Sequence, residues 1–170
     1  MTQACEVSSS GAMKARSGTS FAPLLPRSAE SLRGSPAGGI SGHAGLFGTA
    51  NDVAKLAQTY AWAGRYGGRQ LFDKNVLAEY TRCQFCPQNR RGLGFDRPTT
   101  PPAGNTAAGA SARSFGHAGF TGTYFWVDPE TELVVVVLTN RVHPSRHNNK
   151  LSQLNLRTDI QQAAIECLQR

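Results

Sequence analysis

The stretch Glu132–Thr139 constrains this chain most. It runs Leu133, Val134, Val135, Val136, Val137, Leu138 without a polar break. Valine is stiff at its first side-chain torsion and suits a pleated, two-sided surface. A run of this length and type is a buried strand rather than a helix. Asp128-Pro129-Glu130-Thr131 precedes it, with proline where a turn wants its fixed φ. Upstream, residues 114–127 read as another strand, with small residues in its first half. The two strands predict an antiparallel hairpin.

Helices are expected on both sides of it. Thr49-Ala50-Asn51-Asp52 resembles a capping box, and Val53, Leu56, Ala57 and Tyr60 follow at the spacing of one helical face. Gly64 and Gly67-Gly68 should stop this helix. A shorter helix is expected over 71–82, with Val76, Leu77 and Tyr80 apolar. The end of the chain reads as a helix with Ile160, Ala163, Ala164, Cys167 and Leu168 on one face. The fold class is therefore α+β, an antiparallel sheet with flanking helices.

Two segments break this pattern. Residues 1–36 are rich in Ser, Gly, Ala and Pro and lack any period, which reads as low-complexity or disordered chain. Residues 37–170 form the structured portion. Within it, residues 91–113 make a long Gly- and Pro-rich connection, with a short strand at Leu93–Phe95.

The net charge is +7. A nucleic-acid surface needs basic residues gathered on one face and interleaved with aromatics. Arg82, Arg90, Arg91 and Arg97, and then Arg141, Arg146, Lys150 and Arg157, are instead scattered over loops, so no nucleic-acid partner is expected. No stretch reaches the length of a membrane span. Met1–Lys14 lacks the apolar core of a signal peptide, and the chain as written reads as cytoplasmic.

Cys83 and Cys86 form a C-x-x-C pair, expected to be reduced and structural. With His143 and His147 they supply the ligand types of zinc, but the two pairs lie too far apart for a zinc finger. A zinc- or nucleic-acid-binding protein built on these residues is the least favoured alternative. No metal and no cofactor is expected.

The sharpest feature is Ser114-Phe115-Gly116-His117-Ala118-Gly119-Phe120-Thr121-Gly122-Thr123. Its small side chains would let a ligand lie against the backbone, closest at Gly119. The Phe120 N–H could then stabilise an oxyanion, and His117 could supply a hydrogen bond or charge at the cleft edge. A Gly-rich strand packed tightly on a helix fits the same spacing.

Several blocks, in consistent order over residues 38–170, resemble the β-lactamase-related serine hydrolases, a group that includes penicillin-binding proteins, class C-type β-lactamases and esterases. They are Gly38-Gly39-Ile40-Ser41-Gly42-His43-Ala44-Gly45-Leu46-Phe47-Gly48-Thr49-Ala50-Asn51-Asp52, Arg91-Gly92-Leu93-Gly94-Phe95, Phe115 through Thr123, Val127-Asp128-Pro129-Glu130 and Leu138-Thr139-Asn140-Arg141. The resemblance implies a partial β-lactamase/transpeptidase-like fold. His117-Ala118-Gly119 matches that family's Lys/His-Thr/Ser-Gly motif at its first and third positions. Ala118 lacks the hydroxyl that usually contacts substrate. The implied substrate-binding residues are His117, Ala118, Gly119 and Phe120. Ser41 and His43 then read as residues of a Gly-rich turn rather than as nucleophile and base.

The family's other motifs are missing. The lysines are Lys14, Lys55, Lys74 and Lys150, and three residues before them stand Gly11, Asp52, Leu71 and His147, so there is no Ser-x-x-Lys. No tyrosine begins a Tyr-x-Asn. The resemblance thus implies the substrate-binding part of a truncated acyl-enzyme hydrolase, acting in its parent family on an ester, amide or peptidoglycan-like substrate and often periplasmic or extracellular. This chain alone is expected to be inactive, with a complementing N-terminal segment or self-association covering an exposed face. A non-catalytic binding or assembly module is the alternative.

Overall fold

A computed structural model of the chain describes residues 48–86, 88–99 and 104–169. The low-complexity segment 1–36, Ser41, His43 and the rest of the first block up to Phe47, and the Pro101-Pro102 part of the long connection lie outside the described residues. The described residues from 53 onward form one compact unit.

Helix α1 spans Ala50–Ala61. Its capping box forms: the Asp52 N–H donates to Thr49 Oγ1 at 3.2 Å, and the Thr49 N–H donates back to Asp52 Oδ2 at 3.1 Å. Ala57 is fully buried and Tyr60 half-buried as the period predicts, whereas Leu56 stays exposed. Strands β1 (Arg65–Tyr66) and β2 (Arg69–Gln70) make a tight hairpin. Gly67 and Gly68 both take positive φ in its turn, the twist that favours two-residue hairpins. Helix α2 spans Lys74–Thr81 rather than starting at Leu71. Asp73 decides the start, because its carboxylate accepts from the Asn75 and Val76 N–H groups.

The main sheet has three antiparallel strands in the order β3 (Phe115–Ala118), β4 (Tyr124–Asp128), β5 (Leu133–Val137). The expected strand over 114–127 is therefore two strands. Gly119-Phe120-Thr121-Gly122 turns the chain back, closed by Gly119 N–H to Thr123 O at 2.7 Å and Gly122 N–H to Gly119 O at 3.0 Å. Gly122 has φ +97°, which disfavours residues with a Cβ. The β4–β5 hairpin forms as expected, Val127 opposite Val134 and Trp126 opposite Val135.

The two faces of the sheet bury different things. Phe115 and Val127 pack with Ala57 of α1, and Tyr60, Phe95, Phe125 and Val134 close around them. Phe95 sits edge-on to Tyr60 and Phe115, at centroid distances of 5.5 and 5.1 Å, a favoured arrangement of ring quadrupoles. On the opposite face, Tyr124 and Trp126 stack at 5.7 Å and 11°. The C-terminal region supplies α3 (Lys150–Gln153) and α4 (Leu156–Leu168), which packs against β5.

The face of α4 differs from the expected one. Ile160 and Leu168 are exposed, as is Cys167; Gln161 and Ile165 are buried. A polar side chain takes the central position because its amide oxygen accepts from Thr106 Oγ1 (2.7 Å), the Ala107 N–H (2.9 Å) and the Tyr124 hydroxyl (2.7 Å). An apolar periodicity cannot register that demand.

Other expectations need correction. Leu93–Phe95 is not a strand but the tip of a small hairpin, bridged between Arg91 and Asp96, with Gly94 at φ +87°. Cys83 and Cys86 are not a reduced pair; they form a disulfide. That removes the two thiolates a zinc site would need, and His143 and His147 are both exposed. Several of the scattered arginines bind inward. Arg97 donates to the carbonyls of Thr81, Ala112 and Arg113, tying the end of α2 to the approach to β3. Burial lowers the affinity of its guanidinium for the proton.

Candidate functional site

The site is the outer edge of β3 and the turn that follows it. Two devices build this edge. At Gly116, a Cβ would run into the Phe125 carbonyl and the Trp126 ring, so the strand can lie over Trp126 only without a side chain there. Beside it the Arg91–Asp96 hairpin docks as a short extra rung: the Asp96 N–H donates to Gly116 O at 2.7 Å and the Gly116 N–H to Asp96 O at 3.1 Å. Gly92 is required in this hairpin because a Cβ would lie 2.6 Å from the Tyr80 carbonyl oxygen.

The rung stops one residue short of His117. Strand alternation sends His117 to the face that carries Phe115, and its ring is exposed. Nδ1 lies 2.9 Å from the Ala118 carbonyl oxygen, and Nε2 lies 3.3 Å from Arg91 Nη1. The same Arg91 nitrogen contacts Asp96 Oδ1, and Arg90 Nη2 reaches Asp96 Oδ2 at 3.4 Å. Asp96 is only 5% exposed. A buried carboxylate flanked by two guanidinium groups thus stands behind His117, with one positive charge in excess.

Ala118 points the other way. It lines a polar cavity of about 200 Å³ together with Arg90, Asp96, Asn105, Tyr124 and Arg157. Burial pushes the Tyr124 phenol well above its usual range, so it stays a neutral donor to Gln161. Gly119 opens the turn, where the space a Cβ would need is taken by the Thr123 hydroxyl. Phe120 is 66% exposed, and among the described residues its N–H has no acceptor.

Arg141 holds the turn in place. Its Nε donates to Phe120 O at 2.8 Å, its N–H to Thr121 O at 2.9 Å, and its guanidinium lies 4.7 Å from the centre of the Phe120 ring. Thr139 Oγ1 also donates to Thr121 O. The distant blocks noted in the sequence therefore meet at one place: Leu138–Arg141 braces the turn, and Arg91–Phe95 carries the rung beside the strand.

His117, Gly119 and Phe120 share one edge, while Ala118 faces the cavity behind it. Arg91, Asp96 and Arg141 were not among the expected site residues. A signal existed for two of them, since Arg91 and Asp96 bracket a Gly-x-Gly that only a tight turn explains. Among the described residues, no cluster of His, Cys, Asp or Glu could hold a metal ion.

An antiparallel sheet with a His-x-Gly edge strand, backed by a C-terminal helix and faced by a helical segment, is a partial transpeptidase-like α+β fold. The comparisons specify it. The family model described as Beta-lactamase matches residues 5–158. Proteins described as putative D-alanyl-D-alanine carboxypeptidases from Salmonella enteritidis and Salmonella typhi are 38% identical over 120 residues, 68% of this chain and 27% of theirs. A crystal structure of a beta-lactamase from Mycobacterium bovis superposes with a TM-score of 0.57 at 27% identity, over 74% of this chain and 47% of that one. The chain belongs to the beta-lactamase family of serine hydrolases. It spans roughly a quarter of the length of the curated relatives it matches.

Proposed function

We propose that this chain forms the substrate-binding wall of an acyl-transferring hydrolase and does not turn substrate over by itself. The observation that carries this is the edge at His117–Phe120: the His117 ring is exposed at the end of the strand, and on the turn braced by Arg141 the Phe120 N–H has no acceptor among the described residues. A carbonyl lying along β3 would find the Phe120 N–H as oxyanion donor. His117 would face the reacting group. The names of the relatives point to a peptide ending in D-alanyl-D-alanine as the ligand class.

The absence of Ser-x-x-Lys in the sequence supports inactivity, because the edge alone has no activated nucleophile. No helix among the described residues is long and apolar enough to cross a membrane. The Cys83–Cys86 disulfide favours an oxidising compartment over the cytoplasm.

Titrating the isotope-labelled chain with an acyl-D-alanyl-D-alanine peptide tests the reading. Amide signals of residues 117–120 should move saturably, a chromogenic ester and a chromogenic cephalosporin should remain intact, and a serine-directed phosphonate should leave the chain unlabelled. Turnover abolished by one serine substitution would show a nucleophile elsewhere. Unmoved signals at the β3 edge would favour an assembly module that does not use the cleft.

A further inference from the structure

Arginine can only donate hydrogen bonds, which fixes the chemistry at the edge. Arg91 Nη1 stands between two groups, ion-paired to Asp96 Oδ1 and 3.3 Å from His117 Nε2. A hydrogen on Nε2 would meet a donor head-on, so Nε2 is the acceptor. Nδ1 faces the Ala118 carbonyl oxygen at 2.9 Å, which can only accept. Both contacts select the same form of the ring, with the proton on Nδ1.

Arg91 does not owe its place to His117. Asp96 is buried, its backbone is bonded on both sides to Gly116, and its carboxylate takes both Arg90 and Arg91. The hairpin is further anchored where the Leu93 N–H donates to Tyr80 O and the Gln84 N–H to Arg91 O, both at 2.8 Å. A rigid carboxylate thus aims a guanidinium, and the guanidinium aims an imidazole.

We propose that Arg91, held by Asp96, is a positioning residue that sets His117 in the Nδ1–H tautomer and turns Nε2 into a hydrogen-bond acceptor at the cleft edge. This deepens the reading of His117–Phe120 as the substrate edge and rests on it. A ligand group placed against Nε2 would then have to bring a proton, such as an amide N–H or a hydroxyl, and a bare carboxylate would be disfavoured there. Lysine could not substitute well, since it lacks the planar fork that spans carboxylate and ring.

The test is long-range ¹⁵N–¹H correlation on histidine-labelled full-length chain, at a pH where titration of the signal shows the ring neutral, with His117→Gln to assign it. The wild-type chain should show His117 almost wholly as Nδ1–H. In Arg91→Met, whose stem keeps the packing, the Nε2–H form that a free histidine side chain prefers should gain population against the Ala118 carbonyl that still favours Nδ1–H, with other amide signals unmoved. A wild-type ring protonated on Nε2 overturns the proposal, and so does an unchanged tautomer in Arg91→Met. Should that variant unfold, Asp96→Asn is read for the same shift and an unchanged tautomer there overturns it equally. The measurement needs no ligand. Failure of the peptide titration therefore removes the substrate reading while leaving the tautomer result standing, and the converse holds.

Discussion

Gln161 shows how much one side chain can carry. Its amide oxygen collects a hydroxyl, a phenol and a backbone N–H in a place closed to water. Gln161→Leu keeps the shape and leaves three buried donors without an acceptor, a loss of about 3 kcal/mol. Tyr124→Phe removes one of the three and should cost about 1 kcal/mol. The two substitutions together should cost less than the sum, because the phenol is gone when the oxygen goes. Urea unfolding of the four chains checks this, and strict additivity would show that the hydroxyl and the amide do not interact.

At the scale of elements, the sheet depends on one position with no side chain. Gly116→Ala would drive a methyl group into Trp126 and the Phe125 carbonyl while Asp96 holds the strand from its other edge. We expect at least about 2 kcal/mol of destabilisation, read in the same unfolding assay. Alanine tolerated at Gly116 would mean that the Asp96 rung yields.

Some elements were legible from local chemistry. The valine run, the Asp-Pro turn and the capping box each express a preference that no distant contact opposes. The turn at Gly119–Thr123 was not recovered, because Gly-x-x-Gly suits both a close-packed strand and a reversal. Bonds between Gly119 and Thr123 and the clamp of Arg141 decide between them. The face of α4 was misread for the opposite reason: a tertiary hydrogen-bond demand replaced an apolar residue with a glutamine. At the candidate site, His117, Gly119 and Phe120 were visible as a motif. Arg91 and Asp96 owe their roles to a docking of hairpin on strand that spacing alone does not express.

Around α2, apolar side chains remain in contact with water along a strip, and other large ones are exposed elsewhere among the described residues. Val76 and Tyr80 are one helical turn apart on α2, and Leu93 is tied beside Tyr80 through its N–H. All three are more than a third exposed, as are Leu71, Phe72 and Phe85 nearby in sequence. Such strips favour association. Val76→Glu with Tyr80→Glu should lower the apparent mass in sedimentation equilibrium without a change in the sheet's unfolding. An unchanged mass would place the contact on another face.

The three donors at Gln161 come from positions 55, 54 and 37 residues away in the chain. Such an oxygen behaves as a coincidence detector: it is satisfied only when a loop, a strand and the final helix have all arrived. We expect a contact of that kind to form after the barrier to folding has been crossed. Substitution of Gln161 should then quicken unfolding and leave the rate of folding nearly untouched. The last helix would be the part of the chain that commits the rest to staying folded.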